Sequence, residues 1–170
     1  MIKSLLKQVK EFRLPSILTP VFMIGEVICE MVIPILMGRI VDRGIYGGSM
    51  SYIVHTGLLM LGVALFGLVC GFLGAFFGAK ASAGFARNLR KAMFDNIQTY
   101  SFANIDRFSP SSLVTRLTTD VTNMQNAYMM TLRMAMRAPA SLIVAMIMSF
   151  IISPRLACIY LVAVLFLSVI

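Results

Sequence analysis

Charged residues are scarce in this chain of 170 residues. They make up 13% of it, while hydrophobic residues make up 59%; an ordinary soluble domain has about 25% charged residues. The apolar residues lie in long blocks, and no Lys, Arg, Asp or Glu occurs from Gly44 through Ala79. The composition excludes a water-soluble domain and predicts an all-α integral membrane protein.

Residues for metal or covalent chemistry are also few. His55 is the sole histidine, and it has no evident partner in the sequence. The cysteines fall inside apolar blocks without metal-ligand spacing, so we interpret all of them as buried thiols: Cys29, Cys70 and Cys158. Around Lys80 the glycines lack the spacing of a phosphate-binding loop. We therefore expect no cofactor or metal in this chain and no ATP hydrolysis by it alone.

Hydropathy divides the chain into six segments. The criterion for a span is a length of roughly 20 apolar residues, which is enough to cross a bilayer. The first is amphipathic, with apolar residues on one face and lysines on the other, and is expected to lie on the membrane surface. The segments are a surface helix at 1–14, spans at 16–40 and 52–79, a polar stretch at 80–133, a third span at 134–152 and the start of a fourth at 156–170. Because the last is short for a span, we expect the chain to be part of a longer one.

The polar stretch 80–133 keeps helical periodicity on both sides of a break at 102–110. Ser109 and Pro110 are residue types that begin helices, Ser109 as a cap and Pro110 at the first position. Apolar residues recur every three or four positions in two runs, which are Phe85, Leu89, Met93, Ile97 and Tyr100, then Leu113, Leu117, Val121, Met124 and Tyr128. The pattern predicts that the second and third spans extend into a helical hairpin outside the membrane.

The distribution of basic residues predicts the orientation. Four Lys or Arg residues precede the first span and seven lie in 80–133, whereas the other connections hold few. Cytoplasmic segments carry the excess of basic residues. The N-terminus and the hairpin are therefore expected in the cytoplasm.

Glu26 and Glu30 stand out because carboxylates inside a membrane span are costly and often functional. Four residues apart, they share one helix face. They would line a substrate cavity that attracts cationic amphiphiles or takes up protons, or they would only form hydrogen bonds with neighbouring helices. The sequence leaves both interpretations open.

Glycines recur on one face of the second span, at Gly67, Gly71, Gly74 and Gly78. Small residues at this spacing let helix backbones approach closely in a membrane. The stripe predicts a helix-packing surface, although glycine is common in membrane helices in general.

Two runs of residues resemble a known family. The run from Asp106 to Phe108 and on through 112–121, which reads Ser-Leu-Val-Thr-Arg-Leu-Thr-Thr-Asp-Val, resembles the first intracellular loop of ATP-binding-cassette exporters, particularly the heterodimeric bacterial multidrug type. The run 34–42, Pro-Ile-Leu-Met-Gly-Arg-Ile-Val-Asp, resembles the end of that family's first membrane helix. The order of segments matches the exporter's type-1 transmembrane fold, truncated here.

This resemblance implies a short coupling helix that contacts a nucleotide-binding ATPase domain. It would consist of Phe102, Ala103, Asn104, Ile105, Asp106, Arg107, Phe108 and Ser109. ATP and Mg²⁺ would bind in that attached or partner domain. A second transmembrane subunit, making a heterodimer or a homodimer, would complete the transporter in the bacterial cytoplasmic membrane.

The leading hypothesis is thus the permease part of an ATP-driven exporter of amphiphilic or drug-like substrates. The alternative is a small proton-coupled drug exporter of four helices with Glu26 or Glu30 as proton carrier, although such proteins have short loops and 80–133 is long. A receptor or assembly protein would need an exposed signalling domain that the sequence does not contain.

Overall fold

The computed structural model describes residues 7–100, 109–153 and 157, and all its elements in that part of the chain are helical. In chain order they are a 3-10 helix Lys7–Phe12, α1 (Arg13–Arg39), a π-helical segment Ile40–Ile45, α2 (Met50–Gln98), α3 (Pro110–Thr115), a π-helical segment Arg116–Asp120 and α4 (Val121–Ile152). The expected all-α fold class is confirmed.

Within the described residues, three helical stretches are long and apolar enough to cross a membrane: Gln8–Ile45, Met50–Gln98 and Ser111–Ile152. They contain the three spans expected at 16–40, 52–79 and 134–152. The chain is therefore a multi-pass membrane protein. The fourth expected span, 156–170, lies outside the described residues except for Ala157.

The chain divides into two compact units. The first unit comprises Met1–Pro20 and Gly74–Ala135, and the second comprises Val21–Leu73 and Met136–Ile170. The first unit thus contains the polar stretch that the sequence predicts to be a hairpin, and the second contains Glu26 and Glu30.

The N-terminal segment differs from the helix expected over 1–14. Residues Lys7–Phe12 form a 3-10 helix broken at Lys10, where φ is 37° and ψ is −109°, and α-helix begins only at Arg13. A positive φ of this kind costs about 1–3 kcal/mol. Burial of Val9 and packing of Phe12 in the first unit offset this, because each large apolar side chain contributes about 1.5–3 kcal/mol when fully buried. Contact with protein therefore decides the backbone in 7–12, and residues 1–6 lie outside the described part.

The core of the first unit joins both runs of apolar residues in the polar stretch. Phe85 stacks on Tyr128, with ring centroids 4.6 Å apart and planes at 25°, an arrangement that adds about 0.5–1.5 kcal/mol to the burial itself. The buried members are Val9, Phe85, Ala86, Leu89 and Val121, and the partly buried ones are Phe12, Met93, Met124 and Tyr128. The two helical runs face each other through this cluster, as a packed hairpin requires.

Two long-range hydrogen bonds hold the N-terminal part of the chain in the first unit. The Nδ2 of Asn88 donates to the carbonyl oxygen of Gln8 at 2.9 Å. The hydroxyl oxygens of Ser16 and Tyr128 are 2.9 Å apart. The segment before α1 is therefore attached to α2, and the first turn of α1 to α4, by polar contacts as well as by apolar burial.

The two arms of the polar stretch lie on either side of 101–108, which is outside the described residues. α2 ends at Gln98, a few residues before the break expected at 102–110, and α3 begins at Pro110. Ser109 occupies the N-cap position, but its side chain makes no capping hydrogen bond; its Oγ lies 3.2 Å from the Oγ of Ser111. The expected position of Ser109 and Pro110 is correct, and the expected capping bond is not.

In the second unit, two glycines of α2 lie against α1. A Cβ on Gly67 would lie 3.0 Å from the Cβ of Cys29. A Cβ on Gly71 would lie 3.1 Å from the Oε1 of Glu26. Both distances are shorter than ordinary van der Waals contact, so the missing side chains allow the two helices to approach.

The other two glycines of the stripe belong to the first unit. Gly74 and Gly78 are buried, and a Cβ on Gly78 would lie 3.3 Å from the Cγ2 of Thr19. Thr19 is itself fully buried. Close contact between α1 and α2 thus recurs in this unit.

Candidate functional site

Glu26 and Glu30 are joined by one arginine in the second unit. The Nη1 of Arg137 lies 3.4 Å from the Oε1 of Glu26, and its Nη2 lies 2.6 Å from the Oε1 of Glu30. The spacing of one helix turn places both carboxylates within reach of the two guanidinium nitrogens. The charge cluster, as we call Glu26, Glu30 and Arg137, connects α1 to α4.

The charge cluster is not neutral by formal count, because two carboxylates face one guanidinium. An intramembrane arginine or glutamate is costly alone and is stabilised by pairing. With both carboxylates ionised, one pairing partner leaves one negative charge uncompensated by the cluster itself. A positive group or a proton would compensate it.

The two carboxylates have different surroundings. The side chain of Glu26 is 21% exposed and lies against Gly71, and its Oε2 is buried without a hydrogen-bond partner in the described part of the chain. The side chain of Glu30 is 48% exposed and makes the shorter contact with Arg137. Glu30 is thus the more accessible carboxylate and Glu26 the more enclosed one.

An apolar cleft of about 330 Å³ lies between α1 and α4 in the same unit. Pro34 lines it and follows Glu30 by one helix turn, so that both residues share a face of α1. Most of the other lining residues are apolar, and they include Met31, Ile35, Ala145 and Met148. The volume is at the lower end of the range of about 300–1,000 Å³ for small-molecule pockets.

Arg137 is the residue of this site that sequence reasoning missed. In the sequence Arg137 lies near the start of the third expected span and has no evident partner, although the rule that intramembrane charges pair is a signal for one. Opposite charges in two apolar spans suggest a contact, but the sequence does not contain the relative rotation of α1 and α4. The structure supplies that rotation and brings Arg137 to both glutamates.

Most of the expected coupling helix cannot be compared with the structure. Residues 102–108 lie outside the described part, and only Ser109, which is exposed, falls within it. The assignment of this segment therefore stays a prediction. What the structure adds is the packed pair of helical arms before and after it.

No site for a metal ion emerges in 7–100 and 109–153. There, no group of three or more His, Cys, Asp or Glu side chains comes together in a way that could hold one. Cys29 and Cys70 are buried free thiols, as the sequence predicted, and Cys158 lies outside the described residues.

Comparison with known proteins defines the family. Residues 16–170 match the family described as the ABC transporter transmembrane region. The chain belongs to this family, and the resemblance of its loop and first span to the transmembrane domain of ATP-binding-cassette (ABC) exporters is thereby confirmed. The match does not favour the alternative of a small four-helix proton-coupled exporter.

Similar proteins from several bacteria carry ABC transporter names. The chain is 32% identical over 147 residues to the uncharacterized ABC transporter ATP-binding protein YfiB of Bacillus subtilis, covering 86% of the chain and 26% of that protein. It is 31% identical over 170 residues to the uncharacterized ABC transporter ATP-binding protein MT1311 of Mycobacterium tuberculosis, covering 99% of the chain and 29% of that protein. It is 23% identical over 128 residues to the putative ABC transporter ATP-binding protein exp8 of Streptococcus pneumoniae, covering 75% of the chain and 22% of that protein. The chain thus spans less than a third of the length of these relatives.

Proposed function

We propose that this chain forms the first part of the permease of an ATP-driven exporter for amphiphilic or drug-like substrates. The family match and the relatives named as ATP-binding proteins support this function. ATP and Mg²⁺ bind in a nucleotide-binding domain, attached or separate, and this chain supplies membrane spans and the connection to that domain. A second transmembrane subunit, different from this chain or identical to it, completes the transporter.

The packed core of the first unit is the observation that carries the proposal. Phe85, Leu89 and Val121 are buried between the arms of the polar stretch, and the Nε of Arg90 donates to the carbonyl oxygen of Leu117 at 3.1 Å. Helical arms held by side-chain packing transmit displacement, whereas a flexible loop would absorb it. Movement of an ATPase domain bound at 102–109 would therefore reach α2 and α4.

In this proposal the N-terminus and the polar stretch lie in the cytoplasm, because basic residues concentrate there. Glu26 and Glu30 belong to the substrate cavity, since they are charged groups in an apolar span beside an apolar cleft. The bacterial cytoplasmic membrane is the location that follows from an exporter powered by cytoplasmic ATP.

Replacement of Phe108 by alanine in the full-length protein tests the coupling. Truncation of a central aromatic residue at an interface costs about 2–4 kcal/mol of binding free energy, so we expect substrate-stimulated ATP hydrolysis to fall close to the unstimulated rate. Phe72→Ala is the matched control, since Phe72 is 67% exposed in the apolar part of α2, and it should keep the stimulation. Equal stimulation in Phe108→Ala and the native protein would contradict the proposed coupling helix.

A further inference from the structure

The charge cluster and the apolar cleft together have the composition of a site for an amphiphilic cation. Glu30 lies one helix turn from Pro34, which lines the cleft. On α4, Ser141, Ala145 and Ser149 follow Arg137 at intervals of four residues, and two of these, Ala145 and Ser149, line the same cleft. A molecule with an apolar body and one charged end could therefore occupy the cleft with its charge toward the cluster.

Arg137 decides how much charge the cluster offers such a molecule. With both carboxylates ionised, the cluster would present two formal negative charges without Arg137 and presents one with it. In a medium of low dielectric constant, uncompensated charge is strongly disfavoured. A bound molecule should therefore carry the number of positive charges that makes the net charge of the cluster and the molecule together zero.

We infer that Arg137 is a specificity-determining residue that restricts the cleft to lipophilic cations carrying a single positive charge. This rests on the proposed function, because the cleft is taken to be part of the exporter's substrate cavity. A dication leaves one positive charge uncompensated, a neutral molecule leaves the carboxylate uncompensated, and an anion adds to the negative charge. Each of these three classes binds more weakly than a monocation of similar apolar surface.

Glu30 is the carboxylate that contacts the cation. It is more exposed than Glu26 and lies on the side of the cluster nearer to Pro34 along α1. Glu26 is held against Gly71, where a Cβ would lie 3.1 Å from its Oε1. Glu26 contacts Arg137 at 3.4 Å, while Glu30 contacts it at 2.6 Å, so the guanidinium faces two carboxylates and the negative charge in excess belongs to the cluster as a whole.

The experiment measures binding to the full-length protein in lipid nanodiscs without ATP. The probes are tetraphenylphosphonium, a dication of two triphenylphosphonium groups joined by an alkyl chain, neutral triphenylphosphine oxide and the anion tetraphenylborate. Dissociation constants come from equilibrium dialysis of the native protein, Arg137→Gln and Arg137→Lys. Glu30→Gln is measured in parallel.

We expect the native protein to bind the monocation about tenfold or more tightly than the dication, a difference typical of one unpaired charge at a binding site. Arg137→Gln should reverse this order. Arg137→Lys keeps the positive charge and should keep the order of the two probes, although their dissociation constants should differ from those measured with the native protein. Glu30→Gln should lose the preference for the monocation.

Three results would overturn the inference. One is a native protein that binds all four probes alike, and another is an equal effect of Arg137→Gln and Arg137→Lys, which indicates a purely structural role. The third is failure of tetraphenylphosphonium to protect Ser149→Cys from a thiol reagent, the result expected if a further span of the full-length protein fills the cleft. Because binding is measured without ATP, charge-selective binding with no ATP-driven transport would reject the proposed function and leave this inference standing.

Discussion

Gly67 and Gly62 show how the surroundings of a glycine decide its importance. A Cβ on Gly67 would lie 3.0 Å from the Cβ of Cys29, an atom that cannot move without the backbone of α1. A Cβ on Gly62 would have no neighbouring atom within 4 Å among the described residues. Both glycines belong to the same apolar helix, so sequence composition does not distinguish them.

Gly67→Ala should therefore destabilise the protein where Gly62→Ala does not. Overpacking typically costs about 1–3 kcal/mol, while alanine at an open helical position gains up to about 1 kcal/mol in helix propensity. Thermal unfolding of the full-length protein in detergent measures both variants. Cys29→Gly combined with Gly67→Ala removes the opposing Cβ and should recover part of the loss. Equal stability of the two alanine variants would contradict the close contact.

The charge cluster is the other residue-level feature on which the proposed function depends. Glu26 and Glu30 were identifiable because carboxylates are rare in apolar spans. Their partner Arg137 was visible in the sequence as a charge, but not as a contact. The ion pairs show that both glutamates contact a neighbouring helix, and the cleft beside them is the basis for their proposed role in the substrate cavity.

In α2 the periodicity of the sequence agrees with the structure over part of the helix. Phe85, Leu89 and Met93 recur at helical spacing, and all three belong to the core cluster of the first unit. Phe94 follows directly in the chain but is 52% exposed. Neighbouring apolar residues in one turn of α2 therefore have very different surroundings: Met93 packs against the core, whereas Phe94 is exposed.

This contrast gives a matched pair of phenylalanines in one helix. Phe85→Ala should cost about 3–5 kcal/mol, because Phe85 is 3% exposed and stacks on Tyr128. Phe94→Ala should cost little by comparison. Limited proteolysis of the full-length protein at the polar stretch, followed by mass spectrometry, reports the local opening. Similar protease resistance in the two variants would mean that the two arms do not pack through this core.

The N-terminal segment shows where a helical pattern fails. Its alternation of apolar residues and lysines favoured one amphipathic helix, but the chain breaks at Lys10. Periodicity describes a segment alone, whereas Val9 and Phe12 are attracted to apolar residues far along the chain. In this segment the burial of Val9 and Phe12 stabilises the chain more than a regular helix would.

The whole molecule is defined by its membrane spans and the side of the membrane that each connection faces. Ser49 lies exposed in the short connection between α1 and α2. The coupling segment is predicted to lie on the opposite, cytoplasmic side. The two connections are separated by the single helix α2.

Cysteine labelling tests this topology. In full-length protein whose Cys29, Cys70 and Cys158 are replaced by alanine, Asp106→Cys should react with a membrane-impermeant thiol reagent only after the cytoplasmic side is opened. Ser49→Cys should react in intact cells. Asp106→Cys that is labelled in intact cells, or protected by lipid on both sides, would contradict the proposed orientation and the coupling role together.

The sequence by itself determined that the chain is helical, crosses the membrane and carries a helical polar stretch. Those properties follow from hydropathy and periodicity, which are local along the chain and need no knowledge of neighbours. Only the tertiary structure decided that Arg137 meets both glutamates, that Gly67 meets Cys29 and that the chain turns at Lys10. Such contacts depend on the rotation and register of one helix against another. Sequences with the same pattern of apolar residues can pack their helices at different rotations and registers.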